Sequence, residues 1–148
     1  MSGNVKSLVR AFIVYVRSLL EYNSVIWSPR LIQDITKIEK VQRRFTKKLR
    51  GLKHLSYSDR LIKLGLPSLE LRRLHLDLVY CYKMVFGLVK LNFSDYFDFS
   101  ITPTIGHVYK LYKYRRDSVR AGFFANRVVN VNVCNSFPEF VVFTSLFG

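Results

Sequence analysis

Between residues 28 and 51 the sequence SPRLIQDITKIEKVQRRFTKKLRG carries the start and stop signals of one long helix, and that helix is charged along a single side. Ser28 suits the N-cap, Pro29 the first helical position and Gly51 the left-handed stop, a bracket of about six turns. At 100° per residue Leu31, Ile35, Ile38, Gln42, Phe45 and Leu49 fall in one arc with Val41 on its flank, so this arc is predicted to be buried. Lys37, Lys40, Arg43, Arg44, Lys47, Lys48 and Arg50 occupy the opposite arc, and Glu39 is the sole acid from Lys37 to Lys53. A rod of this kind needs further apolar elements over one side and leaves the other to water or to an anion.

Charge runs are usually solvated faces, and cations near a helix C-terminus oppose its negative dipole end at little cost. The rest of the chain tips the balance toward a polyanionic partner: Lys plus Arg number 24 against 10 Asp plus Glu, a net charge of +14, well beyond what solubility requires. At 148 residues and 49% hydrophobic content, the chain is long and apolar enough to fold around a core of its own.

Other helices are predicted around the basic one. Leu8, Phe12, Tyr15, Val16, Leu19 and Leu20 give residues 6–22 an apolar stripe with Arg10 and Arg17 beside it, ending at the turn-forming Asn23. Trp27 is placed to staple the chain entry against Leu31 or Ile32. Ser56 with Asp59 approximates a capping box for a short helix that Gly65 closes. Ser68 then caps a fourth helix running to about Phe86, with Leu71, Leu74, Leu78, Tyr82 and Val85 inward and Arg72, Arg73, His75 and Lys83 away from that stripe. The fold class is therefore mainly α: about four helices across residues 1–90, a loop or hinge at 91–105, a basic aromatic arm or hairpin with a short helix at 106–138, and an apolar, poorly ordered tail at 139–148.

In the arm, Val108, Lys110 and Tyr112 alternate with Tyr109, Leu111 and Lys113, which suits extended backbone. Lys110, Lys113, Arg115, Arg116, Arg120 and Arg127 are answered only by Asp117 and interleave with Tyr109, Tyr112, Tyr114, Phe123 and Phe124. Cations for a phosphate backbone and flat rings for bases are what an open nucleic-acid strand requires, although tyrosines in a strand also pack on neighbouring helices. Cys81 and Cys134 lack any disulfide or zinc spacing and are expected as reduced thiols of an intracellular, cytoplasmic or nuclear protein. The apolar stretch 8–20 is interrupted by Arg10 and Arg17, so a membrane span is not predicted.

The ordered blocks LEYNSVIWSP, IEKVQRRFTKKLRGL, LSYSDRLIKLGLPSLELRR, GHVYKLYKYRRDS, FFANRVVN and VCNSFP together resemble the end of the reverse transcriptase polyprotein of non-LTR retrotransposons, of the LINE-type jockey or CR1-like kind. The likeness runs over residues 7–138. It implies a thumb and linker that follow the polymerase palm and help to hold template and primer, with residues 37–50 and 110–127 as the surfaces nearest nucleic acid. At the closing block the family has Trp followed by Asn and ends Leu-Pro, where this chain reads Cys134-Asn135-Ser136-Phe137-Pro138.

A polymerase centre needs clustered carboxylates to hold two metal ions, and this sequence contains no adjacent acidic pair; Asp95 and Asp98 on a predicted loop come nearest. Neither cysteine has a recognisable histidine partner for nucleophilic catalysis. The expectation is a non-enzymatic fragment of an RNA-directed DNA polymerase that binds RNA, DNA or an RNA–DNA hybrid through phosphates. No cofactor, metal or small-molecule substrate is expected, and an upstream polymerase domain is a candidate partner. The alternative is a non-catalytic interaction or structural remnant with inherited charge. Attachment to anionic membranes ranks last.

Overall fold

A left-handed residue at Asn23, with φ of 51°, breaks the first helical rod where the sequence predicts a turn. The computed structural model describes residues 3–99, 111–112 and 123–130. The rod comprises α1 (Gly3–Ala11), a π-helical segment (Phe12–Arg17) and α2 (Ser18–Glu21). A one-turn helix α3 (Ser24–Trp27) follows, then α4 (Ile32–Lys48), α5 (Tyr57–Leu64), α6 (Leu69–Val85), a 3-10 turn (Phe93–Asp95) and α7 (Phe124–Asn130). The protein is mainly helical. Among the described residues, extended pairing is limited to an isolated antiparallel bridge between Phe99 and Leu111. The chain separates into two compact units, Met1–Leu76 and Asp77–Gly148, and the division falls inside α6.

In the first unit the core is Val5, Val9, Leu49, Leu52 and Leu66, with Ile13, Phe45, Leu55, Leu61 and Leu64 packed against it. The rings of Phe12 and Phe45 stack at 4.2 Å between centroids. The stripe predicted for the first rod is corrected here: Phe12 is buried, but Leu8, Tyr15, Val16 and Leu19 are exposed, and Val5 and Val9 take their place. In α1, before any irregularity, the inward arc is simply that of Val5 and Val9; from Phe12 onward the π segment is the physical reason for the shift. Its wider turn advances the chain by close to one residue relative to an α-helix, about 100° of rotation. After Arg17 the inward side therefore carries Arg17 and Glu21, while Tyr15 and Leu19 turn outward. The Ser18 hydroxyl donates to the Val14 carbonyl across the junction (2.5 Å).

The start of α4 is also corrected. Ser28 is the C-cap of α3, its N–H on the Ser24 carbonyl (2.8 Å), and α4 does not begin until Ile32. Residues 28–31 stay extended, Leu31 becomes the N-cap residue without a side-chain cap, and α4 has 17 residues rather than six turns. It ends at Lys48, with extended Leu49 as C-cap, and Gly51 takes φ of 78° in the turn beyond. Trp27 does not staple to Leu31 or Ile32, which are both well exposed; its indole N–H donates to the Tyr22 carbonyl (2.5 Å) at the end of the first rod.

The capping signals of α5 and α6 hold. Ser56 Oγ accepts from the Asp59 N–H (3.2 Å) and donates to its carboxylate (2.6 Å), and Gly65 closes α5 with φ of 63°. The Leu71 N–H donates to Ser68 Oγ (3.2 Å). The stripe of α6 is corrected in part: Leu71 is exposed and Leu69, Arg73, Asp77, Cys81 and Met84 are the fully buried positions, while Leu78 and Val85 of the predicted stripe are half-buried against the core of the second unit.

In the second unit Cys81, Met84, Phe97, Leu111, Val128 and Val129 form the core. Phe124 meets Tyr80 and Phe97 edge-on at 5.5 and 5.8 Å, so this ring of the predicted arm is a packing residue. Of the predicted hinge, residues 91–99 are described; Phe93 stacks with Phe97 and Phe99 there. The apolar tail and Cys134 lie outside the described residues.

Candidate functional site

The rotation of α4 about its axis decides where its cations point, and buried polar contacts set that rotation. Glu39, Gln42 and Thr46 are its buried residues, spaced i, i+3 and i+7; Gln42 belongs to the predicted inward arc, whereas Glu39, which interrupts a run of bases, and Thr46 do not. Gln42 and Thr46 have no exposure at all, whereas Leu31, placed inward by the sequence, is 64% exposed. The buried direction is thus turned by about 50° from the predicted arc toward its polar border.

Each of these side chains has a defined task. The Glu39 carboxylate accepts from the Leu69 N–H (3.0 Å) and the Glu70 N–H (3.3 Å), so it caps the N-terminus of α6, where the helix dipole favours an anion. It also accepts a short hydrogen bond from the Tyr57 hydroxyl. Gln42 Nε2 donates to the Pro67 carbonyl (2.9 Å) and to Tyr57 Oη (3.2 Å). Thr46 Oγ1 accepts from Arg60 Nε (3.2 Å), and the buried Arg60 also donates to the Leu55 carbonyl (2.8 Å). Burial, and then the hydrogen bond to Glu39, push the Tyr57 phenol well above the ordinary tyrosine range, so it remains a neutral donor.

With α4 so oriented, Lys37, Lys40, Arg43, Arg44, Lys47 and Lys48 lie within about 140° of arc, all exposed, and Arg50 follows exposed in the turn. Lys37 pairs with Asp34 one turn earlier (2.9 Å). Arg43 lies over the Tyr57 ring, its guanidinium carbon 4.7 Å from the centroid. Among the described residues Lys40, Arg44, Lys47 and Lys48 form no ion pair. The flank is a one-sided field of cations on a rigid support, suited to a strand of regularly spaced negative charge.

Other predicted contributors are not surface cations. Arg72 forks onto Glu21 through Nε (2.9 Å) and a terminal nitrogen (2.8 Å), and Arg73 is buried, so the pair does not extend the basic face. Arg127 of the predicted arm forks onto Asp77 at 3.0 Å through both contacts. Lys110, Lys113, Arg115, Arg116 and Arg120 lie outside the described residues, as do Tyr109 and Tyr114. Tyr112 and Phe123 are exposed.

Among the described residues no three His, Cys, Asp or Glu side chains are grouped so as to hold a metal ion, and no helix is long and apolar enough to cross a membrane. Asp95 and Asp98 are exposed. The sequence placed Gln42 inward but missed the network it forms with Glu39, Thr46 and Tyr57; the signal was present in the helical spacing of the three α4 residues. Compared with models of known families, with curated proteins and with solved structures, the chain matches none.

Proposed function

We propose that this chain binds RNA, DNA or an RNA–DNA hybrid through phosphate contacts along the α4 flank, as a palm-less thumb and linker fragment of a non-LTR retrotransposon reverse transcriptase, without catalysis of its own. The reading places it in the cytoplasm or nucleus. The observation that carries it is the exposure, on one side of a helix held by buried hydrogen bonds, of Lys40, Arg44, Lys47 and Lys48, none of which forms an ion pair among the described residues. Phosphate contacts release condensed counterions, so affinity falls steeply with salt, and they position a strand without reading its bases.

Fluorescence anisotropy with a labelled RNA–DNA hybrid tests this, with light scattering to establish that the protein is monodisperse. Replacing Lys40, Arg44, Lys47 and Lys48 by Gln should lower the slope of log affinity against log salt by up to roughly 3.5. Between about 50 and 200 mM salt the wild type should weaken by two orders of magnitude more than the variant. Unchanged affinity and slope in the variant would remove α4 from the site.

The second reading, a protein-interaction or structural remnant, is favoured by the exposure of Tyr15, Leu19, Tyr22, Ile26 and Ile32, each more than 70% accessible. It expects concentration-dependent self-association or capture of an upstream polymerase domain, together with hybrid binding too weak to register at low salt.

A further inference from the structure

We infer that Tyr57 is a positioning residue for the basic flank, holding Arg43 as a pre-set phosphate fork, so that Arg43 contributes more to nucleic-acid affinity than the lysines around it. The inference rests on the reading of α4 as a phosphate-binding helix, and it assigns unequal weights within that surface. Most cations of the flank are long, exposed side chains that lose rotamer freedom when they grip a phosphate. Arg43 differs because its guanidinium already lies over the Tyr57 ring at 4.7 Å.

The ring is itself fixed. Tyr57 stands at the first position of α5, donates its hydroxyl to Glu39 and accepts from Gln42 Nε2, both of which belong to the same helix as Arg43. Arg60, buried and hydrogen-bonded to Thr46 and Leu55, lies 5.6 Å from the centroid of the same ring. The platform beneath Arg43 is therefore set by the buried network that sets the rotation of α4. The side chain remains exposed, so its N–H edge is open to a ligand.

Repulsion adds to the selection. Lys40 and Lys47 lie three and four residues from Arg43 on the same face and drive like charges apart, and contact with the ring keeps Arg43 from being displaced. A planar fork can give two parallel hydrogen bonds to one phosphate, which a lysine ammonium cannot. The occupant that exploits this is the sugar–phosphate backbone rather than a single base.

Anisotropy titrations of the full chain with the labelled RNA–DNA hybrid, with circular dichroism of each variant, provide the test. R43Q should weaken binding about tenfold and K40Q about threefold, the difference being the rotamer freedom already lost in Arg43. R43K keeps the charge, so it should weaken binding severalfold while leaving the salt slope unchanged, whereas R43Q lowers the slope by about 0.9. Y57F keeps the ring but frees it from Glu39 and Gln42 and should weaken binding about twofold, while Y57L removes the platform, should weaken binding severalfold, and should shrink the further loss on R43K to that of the fork alone. Should Y57L fail to fold, R43K against K40Q decides the unequal weight of Arg43, and Y57F binding no more weakly than wild type overturns the role of Tyr57. R43K binding like wild type, or K40Q costing as much as R43Q, overturns the inference while leaving the α4 surface standing. Absence of salt-dependent binding by the wild type overturns both.

Discussion

Glu39→Gln is the perturbation that probes the organisation of the first unit most directly. The wild-type carboxylate meets two N–H groups at the start of α6 and the Tyr57 hydroxyl, in a site where Glu39 and Leu69 are both buried. The amide keeps one acceptor oxygen but turns an NH2 group toward donors and removes the charge that complements the helix dipole. One lost charge-assisted hydrogen bond and the dipole term together cost about 2 kcal/mol. Glu39→Ala also orphans the Leu69 N–H and should cost about 3–4 kcal/mol, much of the stability expected for a unit of this size. Trp27, the sole tryptophan, belongs to the same unit, so urea unfolding followed by its fluorescence reports on the right part of the chain. With m near 2 kcal/mol/M, the E39Q midpoint should fall by about 1 M. Glu70→Gln is the control: it removes the same charge from an equally basic protein at an exposed position and should cost no more than about 0.5 kcal/mol. Equal midpoints for E39Q and E70Q would refute the view that Glu39 joins α4 to α6.

In the second unit, Asp77→Ala leaves Arg127 without its bidentate partner in a site where both side chains are largely buried, so a loss of about 3 kcal/mol is expected; the readout is faster thiol labelling of the buried Cys81 in a Cys134→Ser background. Lys40→Gln with Arg44→Gln removes like-charge neighbours three and four residues apart while sparing the last-turn lysines. It should stabilise the free protein by about 1 kcal/mol at low salt, a gain that thermal melts should show shrinking as salt is raised. Gly65→Ala places a side chain at φ of 63° and should cost about 1 kcal/mol in urea unfolding, the space around it being open so that backbone strain alone is measured. Because the folded Tyr57 phenol is held above its ordinary range, the unfolded chain loses that proton first. Stability should therefore fall as pH rises past about 10, and Y57F should flatten that decline in alkaline urea titrations.

Local structure followed from local chemistry. The Ser56 and Ser68 caps, the Gly65 stop and the turn at Asn23 lie where the sequence places them, because each depends on atoms only a few residues apart. Ser28 misled because it closes the single turn before it, a turn that follows the left-handed residue at Asn23. Hydrophobic spacing identified the helices and most of the inward arc of α4, where Gln42 and Leu49 are buried and Phe45 meets the core, but it misplaced most of the arc of the first rod, the exposed Leu31 of α4 and part of the stripe of α6. A π segment rotated the first rod from Phe12 onward, and side chains such as Glu39, Gln42, Thr46 and Asp77 found hydrogen-bond partners distant in sequence that offset the cost of burying them. The same long-range pairing removed Arg72 and Arg127 from the basic surface, since nothing near either residue in the sequence announces Glu21 or Asp77 as its acid. What the residue order determined alone was a helical, strongly basic chain with its cations gathered along α4. Only the tertiary structure decided which of them remain outward and unpaired, because that depends on the buried hydrogen bonds that hold α4 in one rotation.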